Sequence, residues 1–119
     1  MGKLASTELS TGDRAPARRL AALPLIAVDG RVVRLATTHG ARLVGLAFTD
    51  RERAGGGLLI PGCRSVHTFG MRFALDVAFL DAEGAVISRR RGVPRRRVVA
   101  DGRASAVLET PAGEAPDAA

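Results

Sequence analysis

The chain has 119 residues, 46% of them hydrophobic, with no Trp or Tyr and a single Cys. That length and composition fit one domain with an aliphatic core, and they exclude wholesale disorder and an intramolecular disulfide. The formal charge of +6 belongs to one segment: residues 85–103 carry seven Arg against one acid, Asp101, and the rest of the chain is neutral.

In chain order, residues 1–22 are polar and Ala/Arg-rich, with no sustained hydrophobic period, and are expected to form a poorly ordered arm. The apolar run Leu20 to Val28 is too short for a membrane span and is broken by Pro24, so no membrane association and a cytoplasmic location are expected. Leu23–Val28 and Arg31–Thr37 flank Asp29-Gly30, a two-residue hairpin signal because such turns need positive φ. From Thr38 the period changes. Leu43, Leu46 and Ala47 fall three and four apart, and Thr38 can cap a short helix that ends before Gly55-Gly56-Gly57. That glycine run lacks the Lys-Ser/Thr of a phosphate-binding loop and reads as a connector.

Leu58-Leu59-Ile60 is a short strand stopped by Pro61-Gly62. Cys63–Thr68 and Leu75–Leu80 are the next two strands, joined through Phe69–Ala74. Asp81-Ala82-Glu83-Gly84 turns tightly into Ala85-Val86-Ile87-Ser88. After the arginines, Val98–Ala100 and Ala104–Glu109 flank Asp101-Gly102. Residues 114–119 read as a tail, leaving residues 23–113 as a single domain. Many short strands with one short helix imply a mainly β fold, a small jelly-roll-like β-sandwich or open barrel.

Three separated pieces carry a family resemblance. Arg42-Leu43-Val44-Gly45-Leu46-Ala47 resembles the Arg-x-x-Gly-Leu-Met helix of the family known as domain of unknown function 192. Cys63 to Asp81 resembles its central signature, a polar pair, a Met, then an Ile/Leu-Asp-hydrophobic strand. Val107-Leu108-Glu109-Thr110-Pro111-Ala112-Gly113 resembles its Val-Leu-Glu-x-x-Ala-Gly end. The chain departs from the pattern at Ala47, at Gly70, where many members carry Trp, and at Ala74, where many carry Pro. It also stops soon after Gly113, where members usually continue into a helix and last strand. The resemblance implies a jelly-roll-like sandwich and no particular reaction.

The stretch from Gly62 to Asp81 gathers the only Cys, one of two His, the only internal Met and three of four Phe. A Cys63–His67 nucleophilic dyad conflicts with strand geometry, since residues four apart lie about 13 Å from each other. Cys63 is expected instead to be a small buried residue. His67 and Asp76 would meet if their strands face each other across Phe69–Ala74. The carboxylate would then fix the imidazole tautomer, either for acid–base work or as a structural bridge. Metal ligation by Cys63, His67, Asp76 and His39 lacks any recognised spacing, so neither metal nor cofactor is expected.

The leading expectation is a non-catalytic module that binds a small molecule or protein partner through Ser65, His67, Met71, Arg72 and Asp76. The first alternative is a small hydrolase or transferase using His67 and Asp76. The second is weak polyanion (nucleic acid) binding through Arg89, Arg90, Arg91, Arg95, Arg96 and Arg97, which lack interleaved aromatics and a groove-reading helix.

Overall fold

A computed structural model describes residues 16–113. It is mainly β: a six-stranded mixed sheet and a separate two-stranded sheet, not closed into a barrel. A short helix α1 (Arg18–Ala21) leads into β1 (Leu25–Val28) and β2 (Arg31–Leu35). Asp29 and Gly30 both take positive φ, 52° and 75°, so the expected Asp-Gly hairpin forms. Leu20 is fully buried and Ala17 N donates to Arg53 O at 3.1 Å. Residues 16–22 therefore pack onto the body instead of forming part of a loose arm; residues 1–15 and the tail 114–119 lie outside the described residues.

Helix α2 (His39–Val44) starts where Thr38 Oγ1 accepts from Ala41 N at 3.0 Å, the expected cap. A 3-10 turn, Arg51–Arg53, follows before β3 (Leu58–Pro61). Next come β4 (Ser65–His67), β5 (Leu75–Leu80), β6 (Val86–Val93), β7 (Val98–Ala100) and β8 (Ala106–Pro111). The large sheet runs β1-β2-β3-β8-β5-β6; β2 and β3 are parallel, and the other neighbours are antiparallel. β4 pairs only with β7.

Two sequence expectations about pairing are corrected by this topology. β4 and β5 are not partners, because the chain between them leaves one sheet for the other. Likewise β7 and β8 flank Asp101-Gly102 without pairing: β7 stays with β4, and β8 enters the large sheet between β3 and β5. Both errors have one cause. Nearness in sequence signals a hairpin, but it carries no information on which sheet a strand joins.

β5 is the hub, buried at Leu75, Val77, Ala78, Phe79 and Leu80. Its alternation puts Leu75, Val77 and Phe79 into the larger core with Leu20, Leu46, Leu58, Ile60, Val66 and Val107. Ala78 and Leu80 turn to a smaller cluster with Val33, Leu59 and Leu108 on the opposite face. Being buried on both faces explains the nearly continuous apolar run of this strand.

Candidate functional site

The larger core is roofed by α2 and by the β4–β7 pair, and between them lies a cleft of about 240 Å³. Its walls are largely apolar, from Leu43, Val44, Ile60 and Val66, with Arg42, Cys63, Ser65, His67 and Glu109 as its polar groups. On β4 Val66 is buried while Ser65 and His67 are exposed, and all three border the cleft. His67 also lies against Phe69, with ring centroids 5.9 Å apart. The Cys63 thiol donates to Ser65 O at 2.9 Å and is half-buried, more accessible than the buried role expected for it.

Glu109 is the chemically distinctive group. On β8 it alternates with Leu108, which sends its side chain to the face shared with Val107, beneath the end of α2. There it is 3% exposed, and Oε1 accepts from Leu46 N at 3.2 Å. Burial raises its carboxyl to about 7, opposed by the Leu46 hydrogen bond and by the charge of Arg19. Burial also lowers the Arg19 pKa, opposed by Glu109. Arg19 is fixed by donating to Gly45 O at 2.8 Å, Ala47 O at 2.6 Å and Thr49 Oγ1 at 2.9 Å. Helix α1 thus ties down the loop that covers Glu109.

Gly45 makes this approach feasible. Its φ is 59°, and a Cβ built there would lie 2.7 Å from Glu109 Oε1. Arg42, one turn earlier, extends its guanidinium over Gly62, with Nη2 3.1 Å from where a Cβ would sit.

The residues expected to form a site separate. Ser65 and His67 line the cleft. Met71 is 4% exposed and packs in the larger core, apart from the cleft lining. Arg72 pairs with Asp50 at 2.8 Å, away from the cleft lining. Asp76 does not meet His67. Its oxygens accept from Gly92 N at 2.7 Å and Gly113 N at 3.1 Å, with Arg91 at 3.9 Å. The expected His67–Asp76 bridge fails because the two strands belong to different sheets, and Asp76 holds strand ends together instead.

The basic segment is partly neutralised. Arg89 reaches Asp29 at 3.0 Å and Arg91 faces Asp76. The side chains of Arg90 and Arg97 make only long contacts, 3.4 Å, to backbone carbonyls of the same segment, while the Arg97 backbone N–H donates to Thr68 Oγ1 at 2.8 Å. Arg95 and Arg96 are exposed between β6 and β7, Arg96 at φ 63°. Among the described residues no cluster of His, Cys, Asp and Glu could hold a metal ion.

The model of the DUF192 family, described as Uncharacterized ACR, matches residues 27–118. The chain belongs to this family. A UPF0127 protein from Thermococcus sibiricus is 33% identical over 85 residues, 68% of this chain and 55% of that protein. The chain therefore spans about half the length of that curated relative. A crystal structure of a protein of unknown function from Novosphingobium aromaticivorans is similar at TM-score 0.59 and 21% identity, covering 95% of this chain and 89% of that one. At that identity the likeness speaks for fold alone.

In this DUF192 chain the separated sequence pieces converge on the cleft. Arg42-x-x-Gly45-Leu46 supplies the mouth cation, the space for Glu109 and the N–H that Glu109 accepts from. Val107-Leu108-Glu109 supplies the carboxyl, and Cys63–His67 supplies the opposite wall. Glu109 and Arg42 escaped notice as site residues when read from sequence. The available signal was a lone acid between Leu108 and Thr110 in an apolar strand, where a carboxyl has to be buried or paired.

Proposed function

We propose that this chain is a ligand-binding β module whose site is the cleft between α2 and β4. The observation that carries this reading is a largely apolar cavity of about 240 Å³ bordered by Arg42, Ser65, His67 and the buried Glu109. Small-molecule sites have this construction, apolar walls with a few placed polar groups that fix orientation. The acid–base alternative loses its motive once Asp76 is committed to the N–H groups of Gly92 and Gly113. The polyanion alternative retains only the exposed arginines around Arg95, Arg96 and Arg97.

Among the described residues no helix is long and apolar enough to cross a membrane. A cytoplasmic setting accords with a single cysteine kept as a free thiol.

Native mass spectrometry tests the reading. Wild-type protein should carry a small-molecule adduct, and Ser65→Trp, which fills the cleft from an exposed position, should lose it while melting at an unchanged temperature. An adduct undiminished in the folded variant would place the ligand elsewhere and overturn the assignment.

A further inference from the structure

The cleft has opposite polar groups at its two ends and apolar side chains between them. Glu109 enters beside Leu58, its register partner on β3. Arg42 lies over Gly62, four residues farther along, where Gly62 N still donates to Ser105 O and continues the strand pairing. At ~3.3 Å per residue, the backbone positions beneath the two groups are about 13 Å apart along the strand. Ile60 and Val66, both buried, lie between.

Each end lacks something. Glu109 Oε1 takes the Leu46 N–H, but a carboxylate accepts about four hydrogen bonds. The group is 3% exposed and lines the cleft. Arg42 is exposed at the mouth, where its planar guanidinium suits a carboxylate. Arg19 faces Glu109 from α1, and His67 stands on the wall. A ligand that is only a cation meets Arg19 and Arg42 without compensation, and one that is only an anion leaves Glu109 desolvated.

Resting on the cleft reading above, we propose that the ligand is a small amphoteric chain: a carboxylate held by Arg42, a protonated amine held by Glu109, and an apolar linker across Ile60 and Val66. The cleft, with a volume of about 240 Å³, has room for a short chain with two polar ends.

Three probes of equal length separate the ends: aminocaproate, hexanoate and hexylamine. Each is titrated by NMR into isotope-labelled chain, following the amide of Leu46, which bonds to Glu109, and the amide of Gly62, which lies beneath Arg42. Aminocaproate should move both amides and bind at least about tenfold more tightly than either single-ended probe, one charge-assisted contact's worth. Arg42→Gln, a change at an exposed position, should reduce aminocaproate to the affinity of hexylamine.

If hexanoate or hexylamine matches aminocaproate while moving the same two amides, the amphoteric proposal falls and the cleft remains a ligand site. If aminocaproate moves only Gly62, or moves neither amide, the proposal also falls. The adduct comparison with Ser65→Trp reads the cleft independently of these probes.

Discussion

Glu109 shows how one buried side chain shapes stability as well as the site. The folded chain keeps its proton up to about 7, whereas a solvated glutamate releases it near 4.5. Below 4.5 the carboxyl is protonated in both states, and its contribution to stability is fully present. Between 4.5 and 7 the folded state binds more protons than the unfolded one, so stability falls as pH rises and levels off above 7. That interval corresponds to roughly 3 kcal/mol. Glu109→Gln still accepts from Leu46 N but cannot ionise. Urea unfolding of both proteins from pH 4 to pH 8 should therefore show the wild type losing stability relative to the variant as pH rises, and a pH-independent difference would refute the raised carboxyl. Gly45 depends on the same contact. Gly45→Ala places a side chain at φ 59° against Glu109 Oε1, and should cost about 1–3 kcal/mol in the same urea series. Combined with Glu109→Ala the loss should be less than additive, because the second change vacates the space the first one needs.

At the scale of elements, Asp76 links strand ends that the sheet alone leaves loose. β5 carries it between β6 and β8, and its carboxylate takes one N–H from near the end of β6 and one from just beyond β8. Asp76→Ala should destabilise by about 1–3 kcal/mol through the two stranded N–H groups, and amide exchange at Gly92 and Gly113 should accelerate while β3 remains protected. With His67→Ala the costs should simply add, since β4 and β5 lie in different sheets. Non-additivity of more than about 0.5 kcal/mol would contradict this separation. Sequence pattern revealed the Asp29-Gly30 and Asp81–Gly84 turns, the Thr38 cap and the apolar β5, because each is a local consequence of φ preference, hydrogen bonding or burial. It also identified Asp76 as a carboxyl that needs a partner. It misassigned that partner because His67 is near in sequence, whereas the true partners are the Gly92 N–H and Arg91 of β6 and the Gly113 N–H after β8. Half of the cleft was legible through Ser65 and His67. The other half required knowing that β8 inserts beside β3 and carries Glu109 under α2, a long-range pairing that strand periodicity does not encode.

At the scale of the whole molecule, the large sheet ends in two unlike edges. β1 presents Leu25 and Ile26 with no charged side chain, whereas β6 carries Arg89, Arg90 and Arg91 along its exposed stretch. Charge on an edge strand discourages pairing with another sheet, because a second copy would bring like charges together. That role would account for Arg89, Arg90 and Arg91 lying together on β6. It also fits Arg89 and Arg91 leaning toward Asp29 and Asp76 on their own molecule. Edge protection and nucleic-acid binding predict different outcomes for the triple change to Ser at positions 89, 90 and 91. If the arginines guard the edge, the variant should self-associate at concentrations where the wild type stays monodisperse by light scattering. Binding of the wild type to DNA or RNA should then be weak and vanish by physiological salt, since the apparent constant falls by about 0.7–0.9 logarithmic units per contacted phosphate for each tenfold rise in salt. A variant that stays as monodisperse as the wild type but loses a tight, salt-resistant complex would reverse the assignment, making β6 a binding face instead of a guarded edge.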